Sequence, residues 1–181
     1  MVLYCQREMP SLPRPKPVAA ILTALIALFA ALEGQSAAAS GLDAASIEEM
    51  LKAHNDLRRV RRIRPLKWSS TLAQSAQRWA EHLESTGVLE HDRDPRTGQN
   101  LYMIHGTTAR PAAVVRRWAG EAADYDEAQN SCRPGASCGH LTQMIWAATS
   151  ELGCGVATGP RGQFWVCNYF PAGNVEGQRP Y

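Results

Sequence analysis

The feature that most constrains the fold lies in the C-terminal third. Glu151 to Thr158 and Gln163 to Phe170 are two runs rich in strand-forming residues, joined by Gly159-Pro160-Arg161-Gly162. Glycine and proline at that density mark a turn, so the two runs predict a β-hairpin. Each run carries a cysteine, Cys154 and Cys167. The runs before the hairpin have helical spacing. Ile47, Met50, Leu51, His54, Leu57 and Val60 form one apolar stripe, which must stop before Pro65. Ser46-Ile47-Glu48-Glu49 reads as its capping box. Leu72, Ala73, Ala76, Trp79, Ala80 and Leu83 form a second stripe, opened by Ser69 or Ser70 and closed by Gly87. Pro111 suits the first turn of a third helix that buries Val114, Val115, Trp118 and Ala122. Gly139 to Ala148 predicts a short fourth helix, and Gly98 to Ile104 a strand. Ser40 to Leu42 reads as a loose terminus, Asp124 to Gly139 as a long ordered loop, and the tail after Pro171 as extended. Helices flanking a small sheet predict one layered α+β domain.

At the N-terminus, Arg7, Arg14 and Lys16 precede an apolar run from Val18 to Leu32, and Ser36-Ala37-Ala38-Ala39 supplies small residues. That is the pattern of a cleaved export signal, and the run is too short for a comfortable span of about 20 residues. The expectation is a signal peptide over 1–39, a domain over 40–181, and no transmembrane span after cleavage. Removing the leader removes Cys5 and leaves Cys132, Cys138, Cys154 and Cys167. An even number in an exported chain suggests two disulfides. Of the three pairings, Cys132–Cys138 with Cys154–Cys167 is favoured. The first closes a short Gly/Pro loop and the second staples neighbouring strands. The alternative is a metal site, although Cys132-x5-Cys138 is not a common zinc spacing.

A formal charge of +2 gives no argument for nucleic acid or an anionic membrane. The cluster Arg58, Arg59, Arg61, Arg62 and Arg64 reads as a solvated helix face and its exit loop, with an acidic partner as the alternative. The five tryptophans read mainly as core, and Thr142, Gln143 and Asn168 as partners for buried backbone groups. There is no phosphate loop, no dinucleotide glycine pattern, no His-Glu-x-x-His and no Gly-x-Ser-x-Gly.

Two blocks carry a resemblance: Gly139-His140-Leu141-Thr142-Gln143-Met144-Ile145-Trp146, and Phe164-Trp165-Val166-Cys167-Asn168-Tyr169-Phe170-Pro171 with the Gly/Pro-punctuated tail. They resemble the signature motifs of the CAP superfamily: cysteine-rich secretory proteins, antigen 5 and pathogenesis-related 1 proteins. His54-Asn55-Asp56-Leu57-Arg58 is similar to the family's first-helix motif, with His54 on a structural face. The resemblance implies an α-β-α sandwich (SCP domain) of about four helices around a small, mainly antiparallel sheet. It also implies a cleft of two histidines and two acidic residues. These fall on His91, on Gln99 of Gly98-Gln99-Asn100-Leu101, on Glu121 of Trp118-Ala119-Gly120-Glu121, and on His140. Gln99 stands where the family usually has glutamate. An amide can hold a neighbour but cannot act as a general base, and it is a weaker metal ligand than a carboxylate. Two imidazoles and one carboxylate suit weak binding of zinc or another divalent cation with an open position, lost when protons compete for the rings. Many plant members carry a third disulfide, at positions occupied here by Gly87 and Gly159, so both halves of that pair are absent together. The functional expectation is a secreted protein (periplasmic in a bacterium), non-enzymatic, that binds sterol or another lipid or an extracellular protein. The alternative is a metal- or histidine-assisted hydrolase such as a protease.

Overall fold

The structure is a computed structural model that describes residues 41–94 and 96–181. The expected export signal falls on residues outside this range. Among the described residues, four helices enclose a four-stranded sheet. In chain order the elements are α1 (Ala44–Arg59), β1 (Lys67–Trp68), α2 (Ser70–Thr86), β2 (Gly98–Ile104), α3 (Pro111–Ala119), β3 (Tyr125–Asp126), β4 (Ser131–Cys132), α4 (Gly139–Met144), β5 (Glu151–Gly159) and β6 (Gly162–Phe170). A 3-10 turn, Gly120–Ala123, follows α3. Strands β3 and β4 form a separate small ladder inside the segment expected to be loop.

The sheet order is β1-β5-β6-β2. The hairpin β5–β6 is antiparallel with Cys154 opposite Cys167, β2 adds antiparallel to β6, and β1 adds parallel to β5. Alternation along β6 sorts the core. Phe164 and Val166 pack with Leu101 against Ala76, Ala80 and Leu83 of α2. Trp165, Cys167 and Tyr169 face the other way, into a core with α1, α3 and α4. The sheet is therefore the middle layer of an α-β-α sandwich, as the resemblance implies. Gly153 and Gly155 let α2 lie directly on β5, because a Cβ at either would collide with the helix backbone.

Several local expectations are corrected. Helix α1 starts earlier than the Ser46 box: Asp43 is its N-cap and accepts from the Ser46 N–H at 2.7 Å. Leu42, expected in a loose terminus, is buried in the core. Val60 lies beyond the end of α1 and is 69% exposed. Ala122 is exposed because the change to 3-10 winding at Gly120 rotates it off the buried face. Helix α4 stops at Met144, short of Ala148. Ser69 caps α2 by position without a side-chain hydrogen bond, whereas Gly87 closes it in the left-handed conformation.

The arginine cluster is not uniformly solvated. Arg58 is fully buried. Its guanidinium donates to the carbonyls of Arg64 (2.7 Å) and of Met144, Trp146 and Thr149 (2.9 Å each). It thereby pins α1 to the end of α4 and the turn beyond. Desolvation lowers its pKa to about 10, so it stays charged at neutral pH. Arg61 pairs with Glu127 at 2.9 Å, while Arg59, Arg62 and Arg64 are exposed. Both favoured disulfides, Cys132–Cys138 and Cys154–Cys167, are present. Among the described residues no helix is long and apolar enough to cross a membrane.

Candidate functional site

The four residues aligned by resemblance fall into two hydrogen-bonded pairs. Glu121 sits on the 3-10 turn after α3, and His140 on the first turn of α4. Their contact, Glu121 Oε1 to His140 Nδ1, is 2.5 Å, and Glu121 Oε2 accepts the Leu141 N–H at 2.9 Å. A carboxylate can only accept here, so Nδ1 carries the proton and Nε2 is the nitrogen left for a ligand. Trp118 stacks on the His140 ring, with centroids 6.0 Å apart and planes 15° from parallel. The Trp118 indole N–H is tied to the Leu101 carbonyl at 3.0 Å. Together with Tyr102, Arg117 and Asp124 these residues line a hollow of about 380 Å³.

The second pair is His91 and Gln99. Gln99 Oε1 accepts the Asp92 backbone N–H at 3.0 Å and lies 3.2 Å from His91 Nδ1. The backbone donor fixes the amide's orientation. Gln99 Nε2 must face Asn168, and it donates to Asn168 Oδ1 at 2.9 Å. Gln99 and Asn168 are opposite each other in the β2–β6 register. They lie on the sheet face that α2 covers. His91 and Gln99 do not line the Glu121–His140 hollow.

Asn100, the next residue on β2, points to the opposite face. Its Nδ2 donates to the His140 carbonyl at 3.0 Å and to the Tyr169 hydroxyl at 3.2 Å. Tyr169 then donates to His54 Nε2 at 2.8 Å, and His54 Nδ1 donates to the Met50 carbonyl at 2.8 Å. Every proton in this relay is placed. Burial pushes the His54 pKa down to about 4 and that of the Tyr169 hydroxyl well up, so both stay neutral. His54 is thus structural, as the sequence predicts. The relay through Asn100 and Tyr169 is not predicted. Its signal was the alternation itself, since Gln99 and Asn100 are consecutive in a strand and cannot share a face. Thr142 and Gln143 satisfy buried backbone and tail groups, as expected.

The hairpin and the sandwich agree with comparison to known proteins. A model of the cysteine-rich secretory protein family, CAP, matches residues 51–169. The chain belongs to the CAP family. A pathogenesis-related protein of PR-1 type from Sambucus nigra is 35% identical over 137 residues, covering 75% of this chain and 82% of the relative. The venom allergen-like protein 4 of Schistosoma mansoni has a similar structure, with a TM-score of 0.60 at 25% identity, covering 76% of this chain and 91% of that one. NaASP2, whose structure is described with Zn2+, has a TM-score of 0.65 at 22% identity over 78% of this chain and 87% of that one, a likeness of fold.

Zinc suits the individual donors better than their grouping. Nε2 of His140 is a suitable ligand atom with a held Nδ1–H behind it. Among the described residues, however, no three His, Cys, Asp or Glu side chains are grouped to hold a metal ion.

Proposed function

We propose that this CAP-family chain is an exported, non-catalytic binding protein whose ligand enters the hollow built on Glu121 and His140. The observation behind this reading is that Glu121 spends both oxygens within the protein, one on His140 and one on the Leu141 N–H. The free lone pair of the site is therefore Nε2 of His140, and Glu121 is committed to orienting that ring rather than to acting as a base itself. Gln99 cannot replace it, being uncharged and held at both ends. The lining contains no serine, threonine or cysteine to act as nucleophile. It does contain an apolar wall, Trp118, beside the charged Arg117 and Asp124, while Leu101 adds backbone to the lining because its side chain packs on the α2 face. That mixture fits recognition of an amphipathic ligand. The partner classes this reading expects are a sterol or other lipid, and an extracellular protein.

The test is a thermal-shift screen of sterols, lipids and peptides on the oxidised protein, because a ligand that binds only the folded state raises its melting temperature. A hit whose shift disappears in His140→Ala supports the proposal. Cleavage of a mixed peptide library that stops in His140→Ala contradicts it.

Divalent-cation binding is a secondary part of the proposal, supported by the Nε2 of His140 and by the fold shared with NaASP2, whose structure is described with Zn2+. Zinc is expected to bind weakly, because fewer protein ligands are grouped than a closed site uses. Calorimetry should show heat that the His91→Ala, His140→Ala double variant lacks. Equal heats from both proteins would remove this part.

A further inference from the structure

The opposite face of the sheet holds a second hollow, of about 290 Å³, between the N-terminal half of α2, the end of β6 and the loop carrying Asp94, Arg96 and Thr97. It shares no lining residue with the Glu121–His140 hollow. Asn168 lies at its floor and is only 2% exposed. The orientation of its amide follows from its neighbours. The Asp92 N–H takes Gln99 Oε1, so Gln99 presents Nε2, and Asn168 must answer with Oδ1. The Asn168 Nδ2 donors therefore point away from Gln99, and among the described residues they have no hydrogen-bond partner. The residue is buried, but its Nδ2 is not sealed from solvent, so the two N–H bonds open into the hollow and are available to an acceptor there.

What surrounds those donors is positive. Thr71, Ser75 and Arg78 line the hollow from one face of α2, at i, i+4 and i+7. Helix α2 has 17 residues, and Ser69 gives it no side-chain cap, so its first-turn N–H groups lack a side-chain acceptor. Arg78 is exposed and has no ion pair among the described residues. The acidic group on the rim, Asp94, is already held by both ends of the Arg96 guanidinium, at 3.0 and 2.8 Å. The walls are apolar: Leu72, and Phe170, which is 43% exposed.

We propose that this hollow binds a small organic oxyanion, a carboxylate or sulfate ester bearing a short apolar tail. The head group accepts from Asn168 Nδ2 and the first turn of α2, Arg78 supplies the countercharge, and the tail rests on Leu72 and Phe170. Gln99 is the positioning residue. A glutamate there has no N–H to donate to Asn168 Oδ1, so Asn168 would turn its Nδ2 donors onto the carboxylate and close the site. The proposal does not depend on the reading of the Glu121–His140 hollow.

The experiment is an NMR titration of the 15N-labelled, oxidised protein with hexanoate, hexyl sulfate and, as the neutral control, hexanol, all at fixed ionic strength. Either anion should give saturable shifts at the Asn168 side-chain amide and at the Thr71 and Leu72 backbone amides. Hexanol should not. Arg78→Gln, an exposed change whose fold the same spectrum verifies, should weaken binding at least about tenfold, the order expected for a charge-assisted contact. Gln99→Glu should abolish it and His140→Ala should leave it intact. Saturation by one anion alone identifies the head group within this proposal. The proposal fails if neither anion saturates, if hexanol binds as well as they do, or if Arg78→Gln and Gln99→Glu both bind like the parent.

Discussion

Two hydrogen-bond chains leave β2 from adjacent residues and run to opposite faces of the sheet. From Asn100 one passes through Tyr169 and His54 and ends on the Met50 carbonyl. From Gln99 the other reaches Asn168 and ends on donors with no partner among the described residues. The first chain is closed and lies beneath the core helices, where an unmet polar group costs the full desolvation penalty. The second is open beside a hollow. Amides on neighbouring positions of one strand thus serve stability when the last donor is met inside the protein, and recognition when it is not.

The closed side is challenged most severely by removing the buried cation beside it. Arg58→Ala strands the carbonyls of Met144 and Thr149 and leaves that of Trp146 with the Thr149 N–H alone. It should cost about 4 kcal/mol in urea unfolding. A loss below about 1 kcal/mol would mean that water replaces the guanidinium easily.

Acid should come next. The His54 pKa falls from 6.5 to about 4 in the folded protein because the ring is desolvated. Between those values the unfolded chain binds the proton and the folded one does not. Stability is therefore complete above the unfolded value and falls as pH drops through this window, by about 3 kcal/mol at pH 4. Unfolding at pH 7 and pH 4 measures it, and a His54→Gln variant with an undiminished pH slope would assign the loss elsewhere.

Tyr169→Phe removes the middle of the closed chain, leaving His54 Nε2 and one Asn100 contact unmet. It should cost about 2 kcal/mol. Changing the open side should matter least for stability: Gln99→Glu should shift unfolding by less than about 1 kcal/mol while eliminating oxyanion binding. A large loss of stability there would erase the distinction between the two chains.

Much of this was legible in the sequence. The hairpin was marked by its turn residues, the α2 stripe by its period, and the cysteine pairing by strand position, because each is a local pattern. Arg58 was not legible. Its place in a basic run suggests a solvated face, and only the carbonyls of residues 144–149, far along the chain, make its burial tolerable. Glu121 and His140 were legible by resemblance alone, since 19 positions separate them and neither carries a local signature. The opposed directions of Gln99 and Asn100 could have been read from strand alternation. The partners each would find could not, because those come from the register of β6.

The contrast between the closed and open chains is tested most directly by the solvent exchange of two side-chain amides, measured by 15N NMR on the ligand-free protein. The Asn100 Nδ2 protons should be strongly protected, and those of Asn168 should exchange rapidly despite its burial. Equal protection of the two would contradict the contrast.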